Sequence, residues 1–163
     1  MKDSGRIKYL IMDVDGTLTD GKIYMGQEGE LFKAFSACDG YGIRWMLPPA
    51  GITPVIITGR RSAIVENRCA EIGIKKIFQE VNDKGPALEQ YIAGEGDSLS
   101  AAAYIGDDLN DLPCIKLVRE NGGITGCPKD AVEEVKNNVD FVSSYKGGEG
   151  AVREFIEWLL NAR

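Results

Sequence analysis

Histidine is absent from this sequence of 163 residues. A chain without histidine cannot use a Ser/His/Asp triad or a histidine phosphatase mechanism, and it lacks the imidazole ligands of most zinc sites. Any acid or base catalysis must therefore come from carboxylates, which are plentiful because aspartate and glutamate together number 25.

Long apolar runs are also missing. No stretch approaches the ~18 apolar residues of a membrane span, and the polar start MKDSGRIKY is unlike a secretory signal. The four cysteines (Cys38, Cys69, Cys114 and Cys127) include no CxxC pair, so we expect them to be reduced thiols. These absences predict a soluble, cytoplasmic protein with no membrane partner.

Basic residues are too few to balance the acidic ones, and the formal net charge is −6. This excess of negative charge argues against nonspecific binding to nucleic acid or to an anionic membrane. A small anionic substrate would need a local cluster of basic side chains. The length predicts a single domain over residues 1–163, which can bury about two thirds of the surface of the unfolded chain.

The most informative stretch is MDVDGTLTDG, which directly follows an apolar run ending at Ile11. Asp13 and Asp15 are one residue apart and would point to opposite faces of a strand, so a turn must begin between them, and Gly16 permits that turn. A divalent cation would offset the desolvation of two carboxylates at the end of a buried strand. The alternative is a solvated acidic turn in which Gly16 only marks the bend.

Two further apolar segments, 53–57 and 101–105, are typical of strands covered on both faces. They alternate with segments of helical periodicity, which predicts an α/β fold, a Rossmann-like parallel sheet with helices on both faces. Asp13, Thr58 and Asp107 follow the carboxyl ends of the predicted strands, where ligands bind in such sheets. We therefore expect the chemistry at this edge.

Residues 22–35 predict a β-hairpin, because Gly26 and Gly29 separate two apolar runs. A two-stranded ribbon of this size is marginal unless it packs on something else. It is therefore expected to project from the sheet and to pair with another subunit.

Asp13, Asp15, Thr58, Lys84 and Asp107 together are the residue types needed for phosphoryl transfer through an aspartyl phosphate. Their order and sequence context resemble the haloacid dehalogenase phosphatases. The resemblance is carried by four motifs: MDVDGTLTDG, ITGR at 57–60, Lys84 and GDDLND at 106–111.

The resemblance implies a role for each of these residues. Asp13 would be the nucleophile and a ligand of Mg²⁺, and Asp107 would complete the metal site. Asp15 would give its backbone carbonyl to the metal, while its side chain protonates the leaving group and then deprotonates water. Thr58 and Lys84 would hold the phosphoryl oxygens. Asp15, in place of the threonine found in the related ion pumps, indicates a phosphatase.

Two neighbouring acids have open roles. Asp108 and Asp111 either support the metal ligands or cap the following helix. The connections between the motifs are too short for a cap domain, so the site is expected to be capless and open to water. Another subunit is the natural lid.

The whole chain is similar to the 3-deoxy-D-manno-octulosonate 8-phosphate phosphatase family, through YMGQEGELFKAF, DGYGIR, IITGRRSAIVENRC, AYIGDDLNDLP and GGEGAVRE. The resemblance implies lipopolysaccharide biosynthesis, a homotetramer with paired hairpins, and an active site closed by a neighbouring subunit. The implied substrate contacts are Asp15, Ser36, Ala37, Cys38, Asp39, Gly40, Arg44, Arg60, Arg68 and Lys84. Arg60 and Arg68 could face the pocket from one helix, and arginines suit a substrate that carries carboxylate and phosphate.

The chain length of the sugar acid stays open, because related phosphatases act on nine-carbon keto-deoxy sugar-acid 9-phosphates. The segment SACDG at 36–40 replaces the asparagine and basic residue more usual before Asp-Gly in the family. Sequence therefore leaves eight and nine carbons as alternatives.

Three other functions were weighed against a sugar-acid phosphatase. Cys38 to Arg44 spells C-x5-R, as in thiolate phosphatases, but Asp39 beside the thiol would disfavour both thiolate and phosphate. A receiver-like signalling domain would carry its paired acids after the first strand and its acceptor on a middle strand. A non-catalytic tetramerisation module would show a broken motif, and none is broken.

Overall fold

The computed structural model describes residues 4–162, so residues 1–3 and 163 of the predicted single domain lie outside the described part. The predicted extent of that domain remains a prediction. The strands are β1 Tyr9–Met12, β2 Tyr24–Gly26, β3 Gly29–Phe32, β4 Thr53–Ile57, β5 Lys76–Phe78, β6 Ala102–Ile105, β7 Ile124–Cys127 and β8 Phe141–Val142. Six of them form one parallel sheet in the order β5-β4-β1-β6-β7-β8.

Helices connect the parallel strands. They are α1 Ala37–Tyr41, α2 Ala63–Ile72, α3 Lys84–Gly94, α4 Leu112–Glu120, α5 Glu133–Lys136 and α6 Ala151–Asn161. A π-helical turn, Gly42–Met46, continues α1, and short 3-10 turns occur at Ser4–Arg6, Pro48–Ala50, Leu99–Ala101 and Leu109–Asp111. The predicted α/β class with a parallel sheet is confirmed.

Alternation along the strands divides the core between the two faces of the sheet. Leu10 and Met12 of β1 pack on one side in a cluster with residues of α2 and α6. Ile11 packs on the other side with residues of α3 and α4. All four residues of β1 are buried, which is why the strand reads as a continuous apolar run and not as an alternating one.

The hairpin is separate from the main sheet. β2 and β3 pair antiparallel with a register shift between Tyr24 and Met25, and the rings of Tyr24 and Phe32 stack with centroids 4.2 Å apart. Met25 and Leu31 are 59% and 64% exposed, although both are large and apolar. The predicted hairpin is thus present, and the structure gives it an uncovered apolar surface.

The connections carry no inserted cap. Between β1 and β4 the described chain has the hairpin, α1 with its π-helical continuation and the 3-10 turn Pro48–Ala50, and between β4 and α3 it has only α2 and β5. No helix within residues 4–162 combines the length and apolar character needed to cross a bilayer.

Candidate active site

The candidate active site lies at the carboxyl edge of the central strands. β1 is flanked by β4 and β6, so the loops that follow these strands converge. They enclose an open cavity of about 280 Å³. Its lining residues are Asp13, Asp15, Gly21, Thr58, Gly59, Arg60, Asp107, Asp108 and Asn110. The structure therefore brings together the acids and Thr58 that the sequence placed at this edge.

Lys84 reaches the site from the first turn of α3. Its side chain is 1% exposed, and its Nζ lies 2.7 Å from Asp13 Oδ1 and 2.8 Å from Asp111 Oδ1. Burial alone would lower the pKa of Lys84, but the two carboxylates outweigh it and raise the pKa above its ordinary value. Lys84 is thus a fixed positive charge beside Asp13.

Asp111 joins several parts of the site. Besides Lys84, its carboxylate accepts hydrogen bonds from the Tyr104 hydroxyl at 2.6 Å and from the backbone N–H groups of Asp107 and Asp108 at 2.9 and 3.2 Å. Asp108 instead caps the short helix that begins at Leu109. Asp111 therefore has both of the roles that the sequence left open. It supports the loop that carries Asp107, and together with Asp108 it forms a capping box at the start of the short helix.

Tyr104 was missed by the sequence interpretation. It reads as one apolar position of β6, and it is fully buried. Burial together with the Asp111 charge keeps the pKa of its hydroxyl well above 10, so the group stays a hydrogen-bond donor. The only sequence signal is a polar atom on an otherwise apolar strand that ends in acids.

The carboxylates of the site repel one another. Oxygens of Asp13, Asp107 and Asp111 all lie within 4.8 Å of each other. Burial first, and then the Asp111 charge, raise the pKa of Asp13 to about 6, while Lys84 acts in the opposite direction. Burial and the charges of Asp13 and Asp111 raise the pKa of Asp107 to about 8. One lysine does not neutralise three carboxylates, so the donor set fits a divalent cation.

Gly16 is required for conformation and for space. Its φ of +96° is in the region that side chains disfavour, and a Cβ there would lie 2.0 Å from Asp107 Oδ2. Thr17 Oγ1 donates to Asp107 Oδ1 at 2.9 Å. The turn after Asp13 therefore fixes the carboxylate that arrives from the neighbouring strand.

The glycine-rich segment 147–150, which directly precedes α6, packs against this turn. Gly147 packs so tightly that a Cβ would lie 1.8 Å from the Gly16 carbonyl oxygen, and Gly148 N–H donates to the Thr17 carbonyl at 3.1 Å. Gly147 N–H also donates to Asp130 Oδ1 at 2.9 Å. The sequence interpretation assigned GGEG no structural role.

Asp15 is linked to the hairpin. Lys33 Nζ lies 2.5 Å from Asp15 Oδ1 and 2.7 Å from Glu30 Oε1, and Arg60 Nε lies 3.8 Å from Asp15 Oδ2. Sequence reasoning missed Glu30 and Lys33, because strand alternation would place residues three apart on opposite faces. β3 ends at Phe32, so Lys33 is free of that alternation.

The remaining predicted substrate residues lie outside the cavity. Arg68 Nη1 pairs with Glu71 Oε2 at 2.8 Å, and Arg68 Nη2 donates to the Ser36 carbonyl at 3.3 Å. Arg44 donates to the Glu71 carbonyl and lies over the ring of Trp45. We call residues 36–40, Arg44 and Arg68 the arginine surface. Within one chain it does not contribute to the cavity that contains Asp13.

One prediction about this region is corrected, and the C-x5-R alternative, which the sequence already disfavours, is not supported by the backbone. Arg60 and Arg68 do not share a helix, since α2 begins at Ala63 and leaves Arg60 in the loop beside Asp15. The C-x5-R segment is helical from Ala37 through Met46, so its backbone N–H groups are not gathered into a phosphate-binding loop. Cys38 is exposed on α1, and Arg44 turns to Glu71.

Asp39 has a structural position. It is 1% exposed and accepts a hydrogen bond from the Arg153 N–H at 2.8 Å, in the first turn of α6. Burial raises the pKa of Asp39 despite these backbone donors. Asp39 therefore joins α1 to α6, and Ala37 and Gly40 line a neighbouring groove with Arg44 and Arg68.

Comparison with known proteins gives close relatives over the whole chain, although no family model matches. A 3-deoxy-D-manno-octulosonate 8-phosphate phosphatase from Escherichia coli (strain B / BL21-DE3) is 42% identical over 163 residues, which is all of this chain and 84% of the relative. The enzyme of that name from Yersinia pestis is 40% identical over 160 residues, covering 98% of this chain and 83% of the relative.

Solved structures agree. The phosphatase of this name from Moraxella catarrhalis, in complex with magnesium, phosphate and 3-deoxy-D-manno-octulosonate (KDO), has a TM-score of 0.91 and 42% identity, covering 99% of this chain and 90% of that one. A cobalt-bound form from Haemophilus influenzae has a TM-score of 0.91 and 39% identity, covering 99% and 91%. A Legionella pneumophila neighbour with a TM-score of 0.90 is described as a hydrolase of the HAD, or haloacid dehalogenase, superfamily. Relatives this similar over nearly their full lengths show that the chain belongs to the 3-deoxy-D-manno-octulosonate 8-phosphate phosphatase family of the haloacid dehalogenase superfamily.

Proposed function

We propose that this protein is a Mg²⁺-dependent phosphatase that hydrolyses 3-deoxy-D-manno-octulosonate 8-phosphate through an aspartyl phosphate on Asp13. The observation that carries the proposal is the meeting of Asp13, Asp15, Thr58, Lys84 and Asp107 around one cavity edge, with Lys84 2.7 Å from Asp13. The relatives named for this reaction, and the magnesium, phosphate and KDO bound in one of them, support the substrate and the metal.

The metal would be held by the carboxylates of Asp13 and Asp107 and by the backbone carbonyl of Asp15. Oxygen atoms are the ligands that Mg²⁺ prefers. Burial and then mutual repulsion raise the pKa values of Asp13 and Asp107, and a bound cation would reduce that repulsion. When bound, the ion supplies the positive charge that reduces repulsion between the Asp13 carboxylate and the phosphate.

The reaction then has two steps on this chain's own residues. An oxygen of Asp13 attacks phosphorus, the bond from phosphorus to the sugar oxygen breaks, and Asp15 gives its proton to the departing alkoxide. Asp15 next takes a proton from water, the water oxygen attacks phosphorus, and the bond to Asp13 breaks to release inorganic phosphate. Lys84 and Thr58 hold the phosphoryl oxygens through both steps.

We also propose that the arginine surface closes the active site of a neighbouring subunit in a homotetramer. The cavity is open and lacks a cap, while Arg44 and Arg68 lie outside it on the same chain. The exposed Met25 and Leu31 of the hairpin are suited to burial against other hairpins. Arginine would give a sugar-acid carboxylate a bidentate partner. A cytoplasmic location remains a prediction.

The first test is phosphate release from eight-carbon and nine-carbon sugar-acid phosphates and from simple sugar phosphates, with Mg²⁺ and with EDTA. We expect metal-dependent preference for the eight-carbon substrate. Preference for the nine-carbon substrate would correct the substrate, and absence of turnover by an intact assembly would favour a non-catalytic role. Asp13→Asn should remain folded and inactive, whereas Lys22→Met, an exposed change nearby, should match the wild type.

The arginine surface has a separate test. Arg68→Ala should lower kcat/KM for the sugar-acid phosphate much more than for p-nitrophenyl phosphate, which lacks the carboxylate. Mixing Arg68→Ala chains with Asp13→Asn chains should restore part of the activity if the site is shared between subunits. Equal losses on both substrates, with no restoration in the mixture, would refute this arrangement.

A further inference from the structure

Lys33 is a buried lysine that the proposed catalytic steps do not use. It follows β3 at the base of the hairpin, and its side chain is 1% exposed. Burying an ammonium group is costly unless it is paired and hydrogen-bonded. Lys33 meets this condition because its Nζ donates a hydrogen bond to Asp15 Oδ1 at 2.5 Å and forms an ion pair with Glu30 Oε1 at 2.7 Å. The Lys33 ammonium group is therefore held by these two carboxylates, and it has almost no contact with solvent.

Glu30 fixes the lysine from the other side. Its Oε2 accepts a hydrogen bond from Ser62 Oγ at 2.5 Å, and Ser62 is the N-cap residue that directly precedes α2. Ser62 N–H in turn donates to Gln79 Oε1 at 2.8 Å. The carboxylate that pairs with Lys33 is thus hydrogen-bonded to Ser62, and Ser62 is hydrogen-bonded to Gln79, which follows β5 of the main sheet.

The two oxygens of Asp15 have different partners. Lys33 Nζ donates a hydrogen bond to Oδ1 at 2.5 Å, and Arg60 Nε lies 3.8 Å from Oδ2, which is beyond hydrogen-bond distance. A carboxylate that is held through one oxygen keeps the other available for proton transfer in a fixed direction. Proton transfer is sensitive to such placement, since a displacement of about 1 Å can cost about 100-fold in rate.

We propose that Lys33 is a positioning residue for Asp15, through which the placement of the hairpin sets the rate of both proton-transfer steps. The inference rests on the proposed function, because it concerns the acid and base of that reaction. Met25 and Leu31 are on the same hairpin and exposed, so whatever covers them also fixes the strand that precedes Lys33. Catalysis and the packing of the hairpin are therefore coupled.

The test compares Lys33→Met, Lys33→Arg and the control Lys22→Met, all with Mg²⁺. We expect Lys33→Met to lower kcat for the sugar-acid phosphate by about 10-fold to 100-fold, with KM changed by less than about twofold. Lys33→Arg should restore most of kcat, because it returns a cation. A lysine that bound substrate would instead raise KM, and that result would overturn the proposal.

A second measurement separates positioning from damage to the fold. Nitrophenolate is a leaving group that needs no proton, so Lys33→Met should still release a rapid burst of nitrophenolate from p-nitrophenyl phosphate. The turnover that follows should be slow, because hydrolysis of the aspartyl phosphate needs Asp15 as a general base. Equal slowing of burst and turnover would contradict the proposal. If Lys33→Met does not fold, Ser62→Ala decides, because it removes the hydrogen bond that holds Glu30. Lowered kcat at constant KM in Ser62→Ala supports the proposal, and wild-type kcat refutes it.

The same assays distinguish an error in the proposed phosphatase function from an error in the role of Lys33. If the proposed function is wrong, the wild-type protein will release no phosphate in the presence of Mg²⁺. A wrong assignment of Lys33 alone would leave the wild type fully active and its Lys33→Met variant equal to Lys22→Met.

Discussion

The stability of the metal-free protein should fall as pH rises through neutrality. In the folded chain the pKa of Asp107 is about 8, raised by burial and by the Asp13 and Asp111 charges. In the unfolded chain the same carboxyl has an ordinary value of about 4. Between these values the folded state keeps a proton that the unfolded state has released, so the free energy of unfolding decreases with increasing pH.

The magnitude follows from the width of the interval. Each pH unit in which the folded state holds one extra proton costs about 1.4 kcal/mol, and that proton is half lost at pH 8, so the loss from pH 6 to pH 8 is about 2 kcal/mol. For a domain of this size that corresponds to a fall in Tm of roughly 4–8 °C. The chain has no histidine, so no side chain with an ordinary pKa titrates in the middle of this interval.

The assay is thermal unfolding in EDTA and in saturating Mg²⁺ at pH 6, 7 and 8. The proposed ligands are ionised carboxylates, so the affinity for Mg²⁺ and the stabilisation by Mg²⁺ should increase with pH and remove the slope. Asp107→Asn, which cannot ionise, should show a flatter profile in EDTA. A Tm that is independent of pH in EDTA, or an equal slope with and without Mg²⁺, would refute this reasoning.

Three further variants test other parts of the structure. Tyr104→Phe leaves Asp111 without one buried donor and should destabilise the fold by about 1–3 kcal/mol and lower kcat, as measured by denaturant unfolding and by kinetics. Gly16→Ala should remain folded but lose turnover, because its Cβ would displace the Asp107 carboxylate; normal activity would contradict the close approach. Leu31→Glu should shift the proposed homotetramer toward smaller species in sedimentation, whereas Lys22→Met should not, and an unchanged mass would exclude the hairpin as the contact.

The sequence predicted the sheet and the edge at which the acids meet, because buried parallel strands leave a strong apolar signal and end in polar turns. Thr53–Ile57 was predicted with the bounds that the structure shows. The distances within the site were beyond sequence, since they depend on pairing between distant segments. Tyr104 looks like any strand residue until its hydroxyl is found 2.6 Å from Asp111.

The positions of the proposed substrate residues were harder to predict for another physical reason. The arginines were grouped by resemblance and by helical spacing, but spacing applies only within one helix, and Arg60 precedes α2. The contact of Lys33 with Asp15 was not predicted, because it depends on β3 ending at Phe32. A strand pattern predicts which face a residue takes, but it does not predict the turn that redirects the next one.

The contact of Gly147 and Gly148 with the turn at Gly16 has a consequence for synthesis on the ribosome. The strand that precedes Asp13 is made first, yet it lies in the interior of the sheet between β4 and β6. The backbone that packs behind the turn at Gly16 is made more than a hundred residues later. Contacts of such long sequence separation form late in folding. Until residue 148 has left the ribosome, the turn at Gly16 lacks the backbone segment that packs behind it. We therefore expect catalytic activity to appear in one late step of folding.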